Sequence, residues 1–227
     1  MIRVMLYTLP IRVWHWINAF LIALLIITGI KLRVPDVAIL LNYSQSVSLH
    51  KYAGYCLGGS FLFWLCYVAA SGSFLKHYVM RAQDIKGMVS QAMFYAYGVF
   101  RGKENPFKPS PENKFNAMQK MAYFSVMVLF TPAVLVTGVL FSDILYFAPY
   151  INAIGGLRAL DALHVVVAYV FVLYLIVHLY MSTLGHTILA HTKGMIIGYE
   201  EEEEHAKSHE AQETRETRDT DEADDKT

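Results

Sequence analysis

Four long apolar stretches with few charges punctuate the chain, at residues 13–32, 47–70, 118–141 and 160–183. Each approaches the twenty or so residues that a helix rising about 1.5 Å per residue needs to cross a hydrocarbon core about 30 Å thick. The pattern predicts four transmembrane helices. The first starts close to the N-terminus in the manner of a signal peptide, but its apolar core is long and no small-x-small cleavage site follows, so it reads as a retained helix. Between the second and third spans, residues 85–100 are apolar and aromatic but too few to cross. They predict an interfacial helix with Asp84 as its N-cap. Residues 103–111 carry three prolines and several charges and read as an irregular connection. Thr131-Pro132 predicts a kink in the third span, because the proline ring removes a backbone donor.

The expected fold is therefore an all-α integral membrane protein: a four-transmembrane-helix bundle with an interfacial amphipathic helix between helices 2 and 3. Composition agrees, with 55% apolar, 14% aromatic and 17% charged residues. The net charge of zero hides a split, because residues 200–227 hold thirteen acids and four bases, leaving fifteen bases and six acids elsewhere. Residues 1–199 read as the membrane domain and residues 200–227 as an acidic disordered tail. Lysine and arginine placement sets the topology. Loop 72–114 holds seven of them, loop 142–159 only Arg158, and turn 34–49 none. Both termini are expected on the cytoplasmic side of the membrane. Bases confined to membrane-flanking loops do not point to a nucleic-acid partner. Cys56 and Cys66 lie inside the second span, with no CxxCH run, and read as small core residues.

Ionisable side chains inside spans are costly and mark function. His15, His50, His164 and His178 all lie in or at the mouths of the apolar helices. His164 and His178 stand fourteen residues apart on one helix, hence about 21 Å apart along its axis and on nearly the same face. His50 matches the depth of His164, and His15 that of His178. Two strong axial nitrogens without net charge are what a low-spin electron-transfer haem wants. The residues predict two b-type haems, an outer one on His50 and His164 and an inner one on His15 and His178. Taken singly, His15 between Trp14 and Trp16 also suits an interfacial aromatic belt, and His50 a helix cap. Gly29, Gly54 and Gly138 offer room for porphyrin faces, or simple helix packing. Arg12, Lys51 and Arg158 are candidate propionate partners. His186 and His191, on the cytoplasmic side, read as solvated or as proton carriers to a quinone. His77, His205 and His209 are given no role.

The run Pro10-Ile11-Arg12-Val13-Trp14-His15-Trp16, Leu49-His50 with Gly54 after it, Asn116-Ala117-Met118-Gln119-Lys120, and the pair His164 and His178 together resemble the cytochrome b gamma subunit of bacterial respiratory formate dehydrogenases. The opening R-x-W-H-W is also similar to that of the membrane anchors of thiosulfate reductases and nickel-iron hydrogenases. The likeness covers roughly residues 8–198. It implies a di-haem subunit that joins a periplasmic iron-sulfur subunit, and the catalytic subunit behind it, to the menaquinone or ubiquinone pool. It further implies a quinone pocket near the inner haem, to which Asn116 and His178 are the matching positions. Met118 stands where the family has glycine. Without the resemblance, Asn116 reads as the N-cap of the third helix.

Three functions compete on the sequence. The first is a quinone-linked electron-transfer subunit, with a partner complex of the formate dehydrogenase, thiosulfate reductase, hydrogenase or multihaem cytochrome kind. A proton-linked transporter calls for repeats or mid-membrane acids, whereas the spans hold only Asp161 near one end. A haemless anchor leaves the four histidines without a task.

Overall fold

The computed structural model describes residues 2–5, 7–39, 41–72, 82–103, 106, 116–184 and 187–202. Its helices are α1 (Leu9–Arg33), α2 (Tyr43–Ser71), α3 (Ala82–Met93), α4 (Ala117–Ser142), α5 (Ala148–Ala153), α6 (Leu157–Ser182) and α7 (Ala190–Ile197). Among the described residues, helices α1, α2, α4 and α6 are the four that are long and apolar enough to cross a membrane. Each begins one to four residues before the expected start. His77, His186, His205 and His209, most of the 103–111 connection, and the tail beyond Glu202 lie outside the described residues.

Two compact units divide the chain, one of Trp14–Val177 and one of Met1–Val13 with His178–Thr227. In the larger, α2 presents Ser46, Ala53, Leu57, Trp64 and Val68 inward, alternate steps of seven and four residues that keep one helix face against its neighbours. Leu21 of α1 packs on Ala53 and Leu57, with Leu135 of α4 against the same cluster. Trp64 and Val68 gather Met127 of α4 and Trp14 of α1. Small and polar side chains bind the helices where lipid supplies no hydrophobic drive. Trp14 Nε1 donates to the Ser60 carbonyl at 3.0 Å, and Asn18 Nδ2 to Ser60 Oγ at 2.7 Å. Cys56 and Cys66 fall off the inward stripe and are exposed free thiols, not the core residues expected.

Helix α4 carries the expected irregularity in a particular form: Ser125–Phe130 is π-helical, and α-helical geometry resumes at Thr131. A widened turn just before Pro132 accommodates the missing donor and the ring. Helix α3 starts at Ala82, so Asp84 lies within its first turn and is not the N-cap. A π turn at Phe94–Gly98 and a 3-10 turn at Val99–Arg101 complete the stretch expected to be one helix.

In the smaller unit, strand β1 (Ile2–Met5) pairs antiparallel with β2 (Tyr199–Glu202), Met5 opposite Tyr199. Strand β2 crosses the expected boundary at residue 200. Gly198 ends α7 with φ of 91°, a left-handed conformation that side chains rarely adopt. Tyr7 N–H donates to the Gly198 carbonyl and Arg12 Nη1 to the Ile197 carbonyl at 3.0 Å.

Candidate functional site

Helix α2 opens with a capping box in which Asn42 Oδ1 accepts the Gln45 N–H at 2.9 Å and Gln45 Oε1 accepts the Asn42 N–H at 3.1 Å. That fixes the first turns and puts His50 one turn beyond buried Ser46. Helix α6 follows the left-handed pair Gly155 and Gly156, with φ of 100° and 85°. Its inward face runs through Leu160, Val167 and Phe171, and His164 sits one turn after Leu160. The two half-buried imidazoles thus meet, ring centres 6.3 Å apart and planes inclined by 66°. Phe141 adds an edge contact to His164 at 5.5 Å.

Each ring is held from behind by a threonine on the preceding span. Thr28 Oγ1 lies 2.9 Å from His50 Nδ1, and Thr137 Oγ1 lies 2.8 Å from His164 Nδ1. The hydroxyls donate their single protons to backbone carbonyls four residues earlier, Thr28 to Leu24 at 2.7 Å and Thr137 to Ala133 at 2.8 Å. With the hydroxyl protons so placed, each oxygen can accept from the ring, the arrangement in which Nδ1 carries the imidazole proton and Nε2 is free as a ligand. Gly29 and Gly138 follow these threonines. A Cβ there would stand 3.4 Å from His50 Cε1 and 3.7 Å from His164 Cε1 respectively, so both glycines let an imidazole lie close to a helix backbone. Gly54 faces open space instead.

The pair fits the axial positions of a haem. A first-row metal held at about 2 Å by a nitrogen of each of two opposed imidazoles leaves the ring centres roughly 6 to 6.5 Å apart, as found here. Among the described residues no three His, Cys, Asp or Glu side chains converge, and a haem held by this pair would supply the remaining metal donors itself. Ser46 Oγ, fully buried and without a hydrogen-bond partner, supplies a hydroxyl one turn from His50 for a polar cofactor edge.

Of the other sequence candidates, His15 is half-buried on α1 with its ring edge-on to Trp16 at 5.4 Å, and His178 is half-buried four residues before the end of α6. Asn116 caps α4 through a second capping box, its Oδ1 accepting the Gln119 N–H at 2.9 Å. The same side chain donates through Nδ2 to the Tyr95 hydroxyl at 2.9 Å. Buried Gln91 and Lys120 belong to the same two packed segments. The candidate propionate partners are engaged differently: Arg12 binds the end of α7, Lys51 lies over the Tyr52 ring, and Arg158 is exposed. Arg33, passed over in the sequence, pairs with Asp161 at 3.3 Å. Thr28 and Thr137 were missed too, although the dipeptide Thr-Gly recurs near the end of the first and third spans, before a span opening with histidine.

Residues 6–198 match the family described as prokaryotic cytochrome b561. The chain is also 32% identical over 205 residues to "Putative cytochrome YdhU" of Escherichia coli (strain K12), covering 87% of this chain and 74% of that one. Four spans, a fitted histidine pair and a match over most of the length agree: the chain belongs to the prokaryotic cytochrome b561 family of membrane proteins that bind b-type haem.

Proposed function

We propose that the protein is the membrane-anchoring, di-haem subunit of a respiratory oxidoreductase, passing electrons across the bacterial inner membrane between a periplasmic redox partner and the quinone pool. The opposed His50 and His164 rings carry this reading, because their separation, with a threonine on each Nδ1, suits bis-imidazole ligation through Nε2. His15 and His178 are proposed for the second haem on spacing alone, since each stands about 20 Å along its own helix from the Thr28 or His164 level. Two haems at these depths would span most of the insulating layer, so an electron would not need to cross it in one step.

Haem, when bound, supplies the one-electron chemistry. The protein's residues do the rest. Four neutral imidazoles ligate without adding net charge in lipid, the threonines orient two of them, and the apolar spans insulate the path. The partner is proposed to be an iron-sulfur subunit with its catalytic subunit, of the formate dehydrogenase kind suggested by the R-x-W-H-W run and the order of the four histidines. Thiosulfate reductase, hydrogenase and multihaem cytochrome complexes remain the alternative partners. Menaquinone or ubiquinone is proposed to bind near the inner haem, with Asn116 and His178 as the matching positions, and Asn116 Nδ2, which donates to the Tyr95 hydroxyl, brings Tyr95 to that pocket.

Purified protein tests this directly through its pyridine haemochrome and through reduction of a menaquinone analogue by dithionite-reduced protein. Two b haems per chain, reoxidised by quinone, are expected. A colourless chain, or haems indifferent to quinone, overturns the proposal.

A further inference from the structure

The two threonines behind the ligands invite a more specific assignment. Thr28 and Thr137 are almost completely buried, at 0% and 2% exposure, and each combines a bond to an imidazole Nδ1 with one to a carbonyl of its own helix. The two halves match: a Thr-Gly pair near the end of one span, a histidine near the start of the next. Threonine in a membrane helix commonly returns its proton to the preceding turn and needs no outside partner. Here both hydroxyls also reach a histidine, and both histidines belong to the one opposed pair.

We propose that Thr28 and Thr137 are positioning residues for the axial ligands, fixing the Nδ1-protonated tautomers of His50 and His164 and setting the electron-donating strength of both rings. This rests on the reading of that pair as haem ligands. A carboxylate in the same place would draw the Nδ1 proton strongly and bring a charge into lipid. A hydroxyl whose own proton is already given away accepts weakly, so the imidazoles stay neutral and only moderately basic. Removing it takes away the hydroxyl acceptor, leaving His50 only the Leu25 carbonyl, loosens the ring and weakens its donation to iron, which favours the reduced haem.

The experiment is an optical redox titration of full-length wild type, Thr28→Val, Thr137→Val and Thr28→Ser, with haem per chain measured in each. The valine variants are expected to keep both haems and to raise the midpoint of one. The ferric-to-ferrous ratio at fixed potential should fall about threefold, or about 30 mV at about 59 mV per decade. Thr28→Ser, which restores the hydroxyl, should titrate as wild type. Loss of one haem alone in the valine variants, with the serine variant retaining it, also supports the assignment. Where a valine variant does not accumulate, Thr28→Cys decides, since a thiol keeps the size but accepts poorly. Its midpoint should rise. An unchanged or lowered midpoint in the valine variants, or in the cysteine variant, overturns the assignment. Haem ligation itself fails separately, if His164→Ala keeps the full haem content.

Discussion

His50 and His164 face each other with ring centres 6.3 Å apart, although 114 residues separate them in the chain. Two local devices set that meeting. The Asn42 and Gln45 capping box starts α2 in the phase that turns His50 inward, and the left-handed glycines 155 and 156 deliver α6 in the phase that does the same for His164. An iron held between the rings, as proposed, would link both devices to one observable, the spectrum of the outer haem.

His164→Ala should therefore remove one haem of two, and His50→Ala the same one, while His178→Ala removes the other. Haemochrome content per chain checks this. Equal content in His164→Ala and wild type contradicts the ligand assignment.

Gly138 offers a graded test of the space beside the imidazole. A Cβ there makes ordinary contact with His164 Cε1 at 3.7 Å, so Gly138→Ala should keep its haem. Gly138→Leu has no such room and should lower outer-haem loading tenfold or more, read by titrating hemin into the apoprotein. Equal loading in the two variants would show that the glycine serves helix packing alone.

Asn116 joins two tasks that substitution separates. Asn116→Ala loses the cap, worth about 1 kcal/mol, and the bond to Tyr95. Asn116→Asp keeps a good cap acceptor but, when ionised, cannot donate to the Tyr95 oxygen. Both are expected to slow quinone-dependent turnover several-fold more than they lower haem content. Wild-type quinone kinetics in both would remove Asn116 and Tyr95 from the proposed pocket.

At the paired termini, Gly198→Ala puts a Cβ 2.7 Å from Arg12 Nη1 and 3.0 Å from the Tyr7 carbonyl, at a φ of 91°. A strain of about 1 kcal/mol or more should loosen the β1–β2 ribbon. Limited proteolysis is expected to cut the N-terminal segment several-fold faster, with the haem spectrum unchanged. Equal cleavage rates contradict the closing role of Gly198.

The spans were legible because they are written as long-range composition, twenty apolar residues in a row, and ionisable groups inside them singled out His50 and His164, whose rings the structure brings together. Asn116 was legible as a cap for a local reason, with its capping-box partner Gln119 only three residues away. The threonines were not, since a threonine returning its proton to its own helix looks the same in sequence whether or not an imidazole lies beyond it. The Arg33 and Asp161 pair was hidden for a similar reason: it joins the ends of two spans 128 residues apart. The β1–β2 ribbon escaped because a run of glutamates has low strand propensity, and only the pairing partner at the other end of the chain makes it a strand. Cys56 and Cys66 were misplaced because apolar composition gives depth in a span but not which face turns inward.

The most direct test of the central claim is the haem count and spin state of the purified wild-type chain, taken together from pyridine haemochrome and low-temperature electron paramagnetic resonance. Bis-imidazole ligation at two depths predicts two b haems per polypeptide, both low-spin in the ferric state. One haem, none, or a high-spin signal with an open coordination position would contradict it.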